Sequence, residues 1–120
     1  MKSLLIALAA LSVVASVPVN GKDWAHKDFS KVIIYGVGGS SCGNWTEARK
    51  NPSSVDANIN LTWVQGYLSA ATTFVPADFS RTDVAGINAF MDKYCSENPL
   101  KDMYFGAVAL GAELRIKESQ

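Results

Sequence analysis

The order of apolar and polar positions divides the chain into an apolar leader, a polar arm and four stretches of helical period. Cys42, Trp45 and Arg49 recur at spacings of three and four, which predicts a first helix over 42–50 with Ser40 or Ser41 as its cap. Asn51-Pro52-Ser53-Ser54 ends it. Ile59, Trp63, Tyr67, Ala70 and Phe74 predict a second helix over 57–73, with these side chains as its buried stripe. Gly66, Ser69, Ala70 and Ala71 are small enough to let a neighbouring helix approach that segment closely. A third helix is expected over 83–96, capped by Thr82 or Ser80, with Val84, Ile87, Met91, Tyr94 and Cys95 inward and Phe90 on the flank. Asn98-Pro99 reads as cap and first turn of a fourth helix, with Leu100, Met103, Ala107, Leu110 and Leu114 as its apolar face. Val32-Ile33-Ile34-Tyr35 is β-branched and aromatic but has no pairing partner, so an extended segment is expected rather than a sheet. Gly36-Val37-Gly38-Gly39 breaks regular structure before the first helix. The fold class is therefore all-α, four helices behind an irregular N-terminal arm.

Met1-Lys2-Ser3 followed by the apolar run 4–14 fits a secretory signal peptide, too short to span a bilayer. Cleavage is expected after residue 15 or residue 21, with Pro18 favouring the later site by ending the apolar helix. Residues 22–120 then make one domain, opening on a loosely held polar arm over 22–31 that carries Trp24 and Phe29. Removing 1–15 takes away Lys2 alone, leaving 10 Lys+Arg against 11 Asp+Glu and a net charge of −1. With no block of basic residues, nucleic acid is a poor partner, and no membrane contact is expected once the leader is gone. The expected location is periplasmic or secreted.

The chain has two cysteines, and in a short exported protein they read as one disulfide, Cys42–Cys95. Two buried free thiols or a metal pair are the other readings, although a single histidine argues against zinc. The bond would close a loop with 52 residues between its ends, a constraint of roughly 4 kcal/mol on the unfolded chain. Trp45, Trp63, Tyr67 and Tyr94 are expected as structural core, the first three packing around the bond. His26 lies in the arm with no serine or cysteine motif near it, and the carboxylates are scattered singly, so no catalytic residue is assigned and the chain reads as a non-enzyme. No cofactor and no metal are expected. The glycine run resembles an anion nest but lacks the Gly-Lys-Ser/Thr ending of a phosphate loop, and it reads as a tight turn into the first helix. Asn44-Trp45-Thr46 and Asn60-Leu61-Thr62 match the glycosylation sequon inside predicted helices and read as accidental.

Tyr35-Gly36-Val37-Gly38, Ser41-Cys42-Gly43-Asn44-Trp45-Thr46, Trp63-Val64-Gln65-Gly66-Tyr67-Leu68-Ser69 and the run Asp92-Lys93-Tyr94-Cys95-Ser96-Glu97-Asn98-Pro99-Leu100 occur in this order. Together they resemble the Rap/Tai immunity-like proteins over about residues 32–116. The resemblance implies a small, mostly helical periplasmic domain with one disulfide, related in shape to the HdeA acid-stress chaperones. It implies binding to, and inhibition of, a peptidoglycan-cleaving amidase effector delivered by type VI secretion. The alternatives are an acid-activated chaperone of the HdeA type and an uncharacterised interaction domain.

The connection 75–81 is dense in anchor-type side chains, with Phe74, Asp78, Phe79 and Arg81 close together. Phe79 either folds back over the ends of the second and third helices or projects with Arg81 towards a protein partner. A homodimer through the same loop is the third reading.

Overall fold

A computed structural model describes residues 28–116 of the 120. The apolar run expected to be a signal peptide, Trp24 and His26 lie outside the described residues. The chain divides into two units, Met1–Val32 and Ile33–Gln120. Of the first, residues 28–32 are described, and they hold the 3-10 turn Phe29–Lys31. Asp28 organises it by accepting hydrogen bonds from the Ser30 hydroxyl at 2.6 Å and the Ser30 N–H at 3.0 Å. These bonds, with a smaller pull from Lys31, hold the Asp28 carboxyl below its usual value.

The second unit contains four helices: α1 (Cys42–Arg49), α2 (Val55–Phe74), α3 (Val84–Glu97) and α4 (Met103–Leu114). A second 3-10 turn, Gly36–Gly39, precedes α1. No strand occurs among the described residues. Two isolated bridges, Ser41 with Asp102 and Phe79 with Arg115, supply the extended pairing. The expected all-α, four-helix class is what the described residues adopt, with 32–35 outside any helix or strand and Tyr35 extended.

Cys42 and Cys95 form the disulfide, joining the first residue of α1 to the last turns of α3. Around it the fully buried side chains are Trp45, Val64, Met91 and Met103, closed by Ala107, Leu110 and Ile87. This cluster is the core of the domain. α3 and α4 approach closely because α4 presents Gly106, where a Cβ would stand 2.7 Å from Met91 Cε.

The helix caps differ from the expected ones in instructive ways. Ser41 holds the N-cap position of α1 but makes no side-chain cap bond. The first N–H groups of α1 are satisfied by backbone instead: Cys42 N–H donates to Lys101 O at 2.7 Å and Gly43 N–H to Pro99 O at 3.1 Å. That use of the 99–101 carbonyls also explains why α4 does not begin at Asn98-Pro99. Asn98 instead caps the C-terminus of α3, giving both its N–H and its side-chain amide to Tyr94 O. α4 starts at Met103, whose N–H reaches back to Ser40 O at 2.9 Å. Leu100 consequently lies in the connection, 93 % exposed, rather than on the buried face.

At α3 the cap is Asp83, whose Oδ1 accepts from Gly86 N–H at 2.8 Å, rather than Thr82 or Ser80. Val84 then falls outside the packed face and is 45 % exposed. α2 is capped by Ser54, whose Oγ accepts from Ala57 N–H at 3.2 Å.

The α2 stripe is the largest correction. Its buried residues are Ala57, Asn60 and Val64, not Ile59 and Phe74, which are 46 % and 72 % exposed. The expected line Ile59, Trp63, Tyr67, Ala70, Phe74 lies roughly a quarter turn around the helix from the real core line. Val64 belongs to the core cluster itself, while Trp63 and Tyr67 are partly buried and pack against it. Gly66 likewise admits no helix: nothing stands within 4 Å of a Cβ placed there. No helix among the described residues is long and apolar enough to cross a membrane.

Candidate functional site

Two surface features carry the side chains singled out in the sequence, and they lie on opposite flanks of α2. The first is an aromatic groove of about 370 Å³ lined by Ile33, Ile34, Tyr35, Trp63, Tyr67 and Tyr104, with Gly66 at its floor. The second is a mixed polar and apolar groove of about 590 Å³ between the last turns of α2, the 77–82 connection and the end of α4.

Trp63 positions the aromatic groove. Its Nε1 donates to Tyr35 O at 2.7 Å, which fastens the extended 33–35 segment to α2. A Cβ at Gly38 would run into the six-membered ring of Trp63, so glycine at 38 lets the 3-10 turn lie against the indole. The turn is thus more than a break before α1, and only Gly36 needs its left-handed φ of 73°. Trp63 and Tyr67 are stacked with ring centroids 6.0 Å apart, and Tyr104 meets Tyr67 edge-on at 5.7 Å. Burial pushes the Tyr67 phenol above its usual value and Tyr104 adds to this; burial alone does the same for Tyr104. Both phenols therefore stay protonated donors at neutral pH. Ile33 and Tyr35 are 74 % and 79 % exposed, an unusual placement for large apolar side chains held in one line.

The four expected core aromatics separate accordingly. Trp45 is fully buried beside the disulfide, while Trp63, Tyr67 and Tyr94 are partly buried and pack against the core from its margin. Trp63 and Tyr67 wall the groove rather than enclosing the disulfide. Tyr94 stacks with Phe90, and burial pushes its phenol up.

One polar cluster escaped sequence reasoning. Asp92 accepts from Trp45 Nε1 at 2.7 Å and from Arg49 twice, Nε at 3.0 Å and Nη2 at 3.2 Å. The available signal was Arg49 sharing a helical face with Trp45, which requires an acceptor wherever that face is buried. The cluster ties α1 to α3 beside the disulfide. Trp45, Arg49 and Asp92 line neither of the two grooves described above.

On the second groove, Phe79 is half-buried and its backbone pairs with Arg115: Ser80 N–H donates to Leu114 O at 2.8 Å and Ile116 N–H to Asp78 O at 2.9 Å. The backbone of the connection is therefore held by the end of α4, while Phe79 itself lines the groove together with Leu68 and Thr72 of α2 and Ile87 of α3. Arg81 and Asp78 are exposed, line the groove, and make no salt bridge or side-chain hydrogen bond among the described residues. Asn60 of the second sequon is buried, and Asn44 of the first is exposed on α1. Among the described residues no group of three or more His, Cys, Asp or Glu is arranged to hold a metal. Comparison with protein-family models, curated proteins and solved structures found no match to this chain.

Proposed function

We propose that this chain is an exported, non-enzymatic binding protein of the Rap/Tai immunity type that grips and inhibits a peptidoglycan amidase effector. The observation that carries the reading is the aromatic groove. Ile33 and Tyr35 stand exposed beside Trp63, Tyr67 and Tyr104, with Tyr35 O fastened to the Trp63 indole, as a protein-contact anchor requires. The disulfide favours an oxidising compartment, in keeping with the leader pattern of residues 1–15. The test is capture from a cell-envelope extract by the disulfide-bonded protein, run beside Ile33→Ser and Tyr35→Ser variants that melt like the parent. A cell-wall amidase that binds the parent, is inhibited by it and is lost by the variants supports the reading. Failure to bind or inhibit any amidase overturns it. Suppression of client aggregation at stoichiometric amounts near pH 2–3, below the ordinary carboxylate range, replaces it with a chaperone of the HdeA type.

A further inference from the structure

The groove on the other flank of α2 has a backbone edge left open. From 78 to 82 the chain makes no turn or bend, and its backbone hydrogen bonds among the described residues go to the tail of α4. Asp78 O and Ser80 N–H point to the tail of α4 and are paired there. In an extended chain the polar groups of alternate residues point to opposite edges, so those of Phe79 and Arg81 point away from that tail. Neither residue's N–H or C=O has a hydrogen-bond partner among the described residues. Both line the groove, whose apolar floor is Leu68, Ile87 and Leu114. A volume of about 590 Å³ lies within the range of sites that hold small ligands or short peptide segments. An unpaired guanidinium at Arg81 and an unpaired carboxylate at Asp78 stand three residues apart along this edge.

We propose that this groove receives an extended peptide segment, which pairs as an added strand with Phe79 and Arg81. The segment sets an acidic side chain against Arg81 and a basic one, three positions away, against Asp78. The backbone pairing supplies affinity, the floor accepts apolar side chains between the charges, and the two ion pairs set register and direction. The charge pattern is what selects this occupant. An uncharged apolar ligand would leave Arg81 and Asp78 facing each other's field with no partner. This inference stands apart from the amidase reading, because it concerns a different surface and names a peptide chemistry rather than an enzyme.

The experiment titrates the disulfide-bonded protein with two capped hexapeptides, acetyl-VEVLKV-amide and its charge-reversed twin acetyl-VKVLEV-amide, followed by backbone amide NMR. One twin is expected to bind with a dissociation constant below about 1 mM, shifting and protecting the Phe79 and Arg81 amides. The other is expected to bind at least tenfold more weakly. The double variant Arg81→Glu/Asp78→Lys, on the surface and outside the core, is expected to exchange the two preferences. N-methylation of alternate peptide amides is expected to cost at least tenfold. Equal binding of the twins, an unchanged preference in the double variant, or indifference to N-methylation overturns the proposal. So does the absence of any shift at about 10 mM peptide. Concentration-dependent dimerisation that protects the same amides without peptide also overturns it, assigning the edge to a second copy of the chain.

Discussion

Gly38 and Trp63 fit together as a socket and its insert: a Cβ at position 38 would overlap the indole. The contact brings the Gly36–Gly39 turn against α2 and holds Tyr35 O where Trp63 Nε1 can donate to it. Gly38→Ala is therefore expected to lower stability by about 1–3 kcal/mol through overpacking, read as a lower urea midpoint at unchanged slope. Trp63→Leu makes room, so Gly38→Ala in that background is expected to cost less than in the parent. Additive losses in the double-mutant cycle would show that the indole is not what position 38 must avoid.

The disulfide is expected to contribute about 4 kcal/mol, given a sequence separation of 53 between Cys42 and Cys95. Intact mass of native protein, alkylated before reduction, should show no modified cysteine. Cys42→Ala/Cys95→Ala is expected to melt far below the parent or not to fold. A double variant that melts within a few degrees of the parent would assign the link between α1 and α3 to the core alone.

Asp92 is the acceptor for both Trp45 and Arg49. Asp92→Ala leaves the indole N–H of a fully buried tryptophan without a partner, and is expected to cost about 2–3 kcal/mol. Asp92→Asn retains an acceptor oxygen for Trp45 and should lose less. Arg49→Met should lose least, because the pair is partly open to solvent, where ion pairs add little. Thermal melts of the three variants in one buffer test the order; a larger loss for Arg49→Met than for Asp92→Ala would contradict it.

The domain is expected to weaken in alkali. The Tyr67 phenol is raised above its ordinary 10.0 by burial, with Tyr104 adding, so the folded state keeps its proton at pH values where the unfolded state has released it. That contribution is complete below the unfolded value and is lost as pH rises through the folded one. Melting temperatures followed from about pH 8 to pH 11 should fall at the upper end. Tyr67→Phe should flatten the fall, and a parent-like fall in Tyr67→Phe would place its origin elsewhere.

Much of the secondary structure is local and so was legible along the chain. Helical period and turn residues place α1 to α4 approximately, because these depend on neighbours three and four positions away, and the disulfide was legible because the chain has only two cysteines to pair. What periodicity alone could not decide was which of two adjacent lines on α2 faces inward. Ile59, Trp63, Tyr67, Ala70 and Phe74 form the more hydrophobic line, yet Ala57, Asn60 and Val64 face the core. Which line is buried depends on how α2 meets Trp45, Met91 and Met103, and that is a property of the packed set rather than of any segment. The start of α4 was decided in the same way, since the Pro99 and Lys101 carbonyls are drawn to the N-terminus of α1. Both grooves follow from these tertiary choices: Trp63 and Tyr67 wall one, and the 77–82 connection paired with the tail of α4 borders the other.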